Sequence, residues 1–142
     1  MAITARLIML LMLIASPALA ADSPIVGTWR GKMHDLPAAV LTVKDDGGRL
    51  SGSIIFYFLY RQTEYDTWQV DTVHSRSLPL IDPKFDGKTL SFQVSHKEAH
   101  PPRTHNDPPA SFSMRLTGKG EAVLLNLNEQ RGPALKMVRD GG

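Results

Sequence analysis

Side chains able to hold a metal ion crowd one stretch of the chain, where His96, Glu98, His100, His105 and Asp107 lie close together among Pro101, Pro102, Pro108 and Pro109. A divalent cation such as zinc needs several nitrogen or oxygen ligands at about 2.0 to 2.2 Å, and a proline-stiffened loop is one way to hold them there. His96, His100 and His105 are therefore the candidate ligands. Their spacing matches no zinc pattern, and Pro101 and Pro102 oppose the helix that would bring His96 and His100 onto one face. The competing reading is a polar exposed loop with one histidine at its rim.

No other chemistry-bearing set is as dense. The chain has no Cys, which excludes a thiol nucleophile and a disulfide framework, and it lacks a Gly-x-Ser-x-Gly elbow. The paired carboxylates Asp45 and Asp46 sit beside Gly47 and Gly48, where turn formation accounts for them. These features point away from an enzyme. His34, Asp35, Asp71 and His74 add to the histidine loop only if the fold carries them to the same rim.

The aromatic residues suggest a second class of site. Phe56, Phe58 and Tyr60 share one alternation, and Phe92 precedes His96 on the same parity of a later run. Inside a barrel, Phe56, Phe58, Tyr60 and Phe92 would line a pocket for a small apolar ligand, with Tyr60, Arg61 or His96 orienting a polar end. If the same side chains simply fill the interior, the face bearing Ile55, Tyr57 and Leu59 becomes a surface for a protein partner.

The elements that must position these residues are strands. Residues 1–20 read as a signal peptide: Arg6, the uncharged run from Leu7 to Ala15, and Ser16-Pro17-Ala18-Leu19-Ala20 supply its basic, apolar and small-residue parts. Its apolar run is shorter than the roughly 20 residues of a spanning helix, so cleavage after Ala20 and a periplasmic or extracellular (secreted) location are expected, with no membrane insertion afterwards. Residues 21–142 then form one domain. The 16 basic residues nearly balance the 14 acidic ones, and no basic block with interleaved aromatics points to nucleic acid.

Beyond Pro24, apolar residues recur at every second position between turn residues. The expected runs are Ile25 to Met33, Ala39 to Lys44, a long one from Leu50 to Tyr60, Thr67 to Val73, and Arg76 to Ile81. Pro79 makes the last of these an edge or bulged strand. Thr89 to Lys97 turns Leu90, Phe92 and Val94 inward. Phe112, Met114 and Leu116 define the next inward face, Val123, Leu125 and Leu127 another, and Leu135 and Met137 lead the final strand. Asp45-Asp46-Gly47-Gly48, Asp86-Gly87, Gly118-Lys119-Gly120 and Gly132-Pro133 provide turns. The expectation is an all-β fold, a single up-and-down antiparallel barrel of about eight strands, with a two-sheet sandwich as the alternative.

The two ends of the chain carry a family resemblance. Ile25-Val26-Gly27-Thr28-Trp29 resembles the Gly-x-Trp entry of the calycins, the lipocalin and fatty-acid-binding-protein superfamily. Leu135-Lys136-Met137-Val138-Arg139 is similar to their last strand, in which a basic residue packs across that Trp. The segments from Lys44 to Gly52 and from Phe85 to Leu90 are also similar to those of small secreted bacterial proteins. The resemblance implies a barrel closed at one end by Trp29 and Arg139, a fold and not an activity; the expected function, a non-enzymatic binding protein for a small apolar molecule, rests on the aromatic residues. No cofactor is expected. A protein partner on a filled barrel and a divalent metal on loop 96–107 remain the alternatives.

Overall fold

The computed structural model describes residues 23–95, 108–129 and 132–141. Its strands are β1 (Gly27–Met33), β2 (Leu36–Asp46), β3 (Arg49–Phe56), β4 (Phe58–Tyr60), β5 (Gln69–Asp71), β6 (Ser77–Pro79), β7 (Ile81–Phe85), β8 (Thr89–Val94), β9 (Ala110–Gly118), β10 (Glu121–Asn126) and β11 (Leu135–Arg139), with no helix among the described residues. Nine of them form one antiparallel sheet in the order β6-β3-β2-β1-β11-β10-β9-β8-β7, while β4 and β5 pair separately.

The two ends of that order, β6 and β7, are neighbours in the chain, joined through Leu80, whose N–H donates to the Gly52 carbonyl at 3.0 Å. One bent segment thus pairs with β3 through Ser77–Pro79 and with β8 through Ile81–Phe85, and the sheet nearly closes on itself. The bend falls at an irregular register between Ile81 and Lys84, where Asp82 has φ +51°. Pro79 lies on the sheet's terminal strand, where a missing N–H costs least. With the bent segment counted once, eight strands ring the barrel, each beside its sequence neighbour, and the two-sheet sandwich is excluded.

Three departures from the sequence pattern shape the molecule. The long run from Leu50 to Tyr60 breaks at Tyr57, whose N–H donates to the Ala38 carbonyl at 2.9 Å, and β4 leaves the barrel wall to pair with β5. β2 begins at Leu36, not Ala39, because His34 and Asp35 form a two-residue turn with φ values of 52° and 61°. Positive φ at both central residues matches the twist of a hairpin, and His and Asp tolerate it better than most side chains.

On β10 the expected facing is inverted. Ala122 and Leu124 are buried, whereas Leu125 and Leu127 are exposed. The pairing sets this facing: Leu124 stands opposite the buried Met114 and Ala122 opposite the buried Met137, so these two share the core face and alternation turns Leu125 outward.

The interior is packed from one end upward. Trp29, Leu41, Val43, Ile54, Leu90, Met114 and Met137 are essentially fully buried. Gly31 keeps this layer tight, since a Cβ there would fall 2.6 Å from Met137 Sδ. No buried side-chain nitrogen or oxygen among the described residues lacks a hydrogen bond.

Candidate functional site

The barrel's two ends differ in how the chain closes them. At one end the connections are short: Gly47-Gly48, Asp86 to Lys88, and Lys119-Gly120. Gly47 and Gly48 have φ values of +63° and +93°, and the Asp45 carboxylate caps the turn by accepting the Gly48 N–H at 2.7 Å. Beneath them Trp29 is fully buried and donates its indole N–H to the Ile25 carbonyl at 2.9 Å. The Arg139 guanidinium lies 6.0 Å from the Trp29 ring centroid and donates to the Pro24 carbonyl at 3.2 Å. Gly27 makes this possible: it holds φ +133°, and a Cβ there would press on Arg139 Cδ at 3.2 Å. This end is sealed.

The other end is where β1, β3 and β10 finish and where β2, β9 and β11 start, and it opens into a cup of about 430 Å³. Its wall is built from strand ends: Met33 of β1, Ala38 of β2, Phe56 of β3, Phe112 of β9, Leu124 and Asn126 of β10, and Leu135 of β11. Tyr57, Phe58 and Leu59 flank the mouth from the side where β4 departs, and Pro133 faces them from the turn before β11. The volume falls within the range of small-molecule pockets, roughly 300 to 1,000 Å³. None of the described residues that line it is charged.

Three aromatic rings support the cup. Phe56 stacks on Phe112 with centroids 5.1 Å apart, and Phe112 stacks on Phe92 at 5.6 Å. Offset stacks of this kind are worth about 0.5 to 1.5 kcal/mol each beyond area burial, so the wall is stiff. Phe92 itself is buried and reaches the cup only through Phe112.

The segment 57–76 forms a flap beside the mouth, made of the β4–β5 ribbon and its loops. His34 stacks on Trp68 with centroids 4.4 Å apart and planes 7° from parallel, so the β1–β2 turn anchors the ribbon. The Arg61 guanidinium sits 4.7 Å from the same Trp68 ring and also donates to the Glu64 carbonyl. Phe58 and Tyr60 stack on each other at 6.4 Å but face solvent, which corrects the inward placement expected from their alternation. The reason is the exit of β4 from the barrel wall. Phe58 still borders the cup, whereas Tyr60 does not.

Within the flap the Asp71 carboxylate bonds the His74 ring at 2.5 Å and accepts the N–H groups of Val73 and His74. The His74 contact, aided by these N–H bonds, holds Asp71 below the ordinary carboxylate pKa. The pair closes a surface turn and lies apart from the residues of the cup.

His96, His100 and His105, with Glu98 and Asp107, lie outside the described residues. The strands they connect, β8 ending at Val94 and β9 starting at Ala110, terminate at the open end. Among the described residues no group of three or more His, Asp or Glu side chains is placed to hold a metal ion. Comparison of the chain with family models, with curated proteins and with solved structures finds no match.

Proposed function

We propose that the protein is an exported, non-enzymatic binding protein that holds a small apolar molecule in the cup, and that it is a distant calycin. The observation that carries the binding role is the contrast in filling. Trp29, Met114 and Met137 pack the sealed end solidly, yet the strand ends above them leave about 430 Å³ lined by apolar side chains. A mostly apolar concavity of this size, held on strand ends and open to solvent, is the form of site that takes up a small apolar molecule.

Calycin membership is supported by the ring of sequential antiparallel strands and by the stacking of Arg139 over Trp29 next to Gly27. Export to the periplasm or the exterior is supported by the basic, apolar and small-residue parts of residues 1–20.

The test is a titration of the purified protein with N-phenyl-1-naphthylamine, a neutral apolar dye whose fluorescence rises when it leaves water. Saturable binding in the micromolar range is expected. Ala38→Trp, which builds an indole into the cup wall, should weaken it at least tenfold while leaving the far-ultraviolet circular dichroism spectrum unchanged. Absence of a saturable signal, or equal binding by the Trp variant, overturns the reading.

A further inference from the structure

We infer that the cup is built for an uncharged ligand bearing a hydrogen-bond acceptor, such as a ketone, ester or amide carbonyl, and that the Asn126 side-chain amide receives that group; this rests on the cup being a ligand site. The inward face of β10 runs Ala122, Leu124, Asn126. The opposite face runs Val123, Leu125, Leu127, which is the more apolar set. Apolar burial alone would choose the register that turns Leu125 and Leu127 inward, at about 1.5 to 3 kcal/mol for each side chain fully buried. The chain adopts the other register, leaves those two leucines exposed and sets an amide in the wall of a mostly apolar cup.

The orientation of that amide follows from its neighbour. Asn126 Oδ1 accepts the backbone N–H of Asn128 at 3.0 Å. A backbone N–H can bond only an acceptor, so Oδ1 faces the turn and the NH₂ group is the end of the amide turned from it, the donor offered to a ligand. Asn128 in turn accepts the Ser111 N–H at 2.7 Å, which ties the end of β10 to the start of β9 and fixes the side chain that it holds.

Charge decides the class. The described lining offers the Asn126 amide and the Tyr57 phenol as its polar groups and no basic side chain. A carboxylate or phosphate drawn into the cup would lose hydration without a cationic partner, whereas a carbonyl needs only one donor. The described lining therefore favours neutral acceptors over anions of the same chain length.

The experiment displaces N-phenyl-1-naphthylamine from the purified protein at pH 7 with 2-undecanone or with undecanoate. The ketone is expected to compete at least tenfold better. Asn126→Asp keeps an oxygen for the Asn128 N–H and removes the donor, so the turn is retained. It should weaken the ketone about tenfold relative to the dye, the value of one hydrogen bond of about 1.4 kcal/mol. Asn126→Leu, which removes both functions, should do the same.

Equal or better competition by undecanoate, or ketone affinity unchanged in both variants while the dye still binds, overturns the role of Asn126 and leaves the cup reading standing. Failure of the dye to bind the wild-type protein overturns both.

Discussion

The sealed and the open end of the barrel use aromatic residues for opposite purposes. At the sealed end one indole, Trp29, is wholly buried, its N–H is satisfied, and Arg139 covers the ring. At the open end Phe56 and Phe112 stack around an unfilled volume, and Trp68 and Phe58 stand outside the wall on the flap. Connections differ as well: the first end has short turns, whereas the second carries the segments 57–76 and 95–109 beside the two-residue turn at His34-Asp35. On the proposed reading, stability and recognition are separated along the barrel axis. Function tends to sit on the long connections carried by a rigid scaffold.

If that separation is real, the largest effect should come from the sealed end. Trp29→Ala removes the barrel's central plug and leaves the Ile25 carbonyl without its indole donor. A loss of about 3 to 5 kcal/mol is expected from urea unfolding, enough to unfold a marginal domain at room temperature. A loss below about 1 kcal/mol would break the comparison.

Phe112→Ala, in the wall of the cup, should cost less, about 2 to 3 kcal/mol, because the space it vacates joins a cup already open to solvent and is not a sealed cavity. Unlike the Trp29 variant it should alter ligand selection, admitting bulkier dyes than the wild type. Titration with a size series of neutral dyes checks this.

Trp68→Ala should be milder still. It removes the ring on which His34 and Arg61 rest, and all three lie outside the barrel core. Global stability should fall by no more than about 1 kcal/mol, while amide hydrogen exchange across residues 57–76 accelerates at least tenfold. Equal acceleration throughout the barrel would show the flap to be part of the scaffold.

How much of this was legible in the sequence depends on which faces were chemically distinct. The alternation Leu90, Phe92, Val94 against Ser91, Gln93 reads unambiguously, and β8 faces as expected. The eight-strand ring and the turn at Gly47-Gly48 were likewise readable from alternation and turn residues. β10 was misread because both of its faces carry apolar residues and the better one points outward.

The first hairpin was hidden because its turn contains no Gly or Asn, only His34 and Asp35. The cup was legible only in Phe56 and Phe58. Met33, Ala38, Leu124 and Leu135 come from four separate strand ends, and no local pattern announces that register will bring them together. Asn126 carried one usable signal, a polar residue two positions after Leu124, masked by the wrong parity.

The finest distinction between the two ends is in acid. Asp86, in the short turn at the sealed end, is held below its ordinary pKa of 3.8 by the N–H groups of Thr89 and then Lys88, while Asp71, in the flap, is held below the same value chiefly by His74. A carboxylate whose pKa is depressed by folding stabilises the folded state fully above 3.8, and that contribution is lost as pH falls through 3.8 toward the folded value. Both groups are at the surface, so the effects are small.

The two groups should nevertheless report on different equilibria. The Asp86 turn joins β7 to β8 in the barrel wall, so Asp86→Asn should flatten the decline of global stability between pH 5 and about pH 3. The Asp71 contact is made inside the flap, so Asp71→Asn should leave global unfolding unchanged and instead remove the acid dependence of amide exchange in residues 57–76. Urea unfolding and amide exchange, each followed across that pH range, separate the two. If Asp71→Asn shifts global unfolding as Asp86→Asn does, flap and barrel unfold as one unit, and the division between a stable end and a recognising end fails.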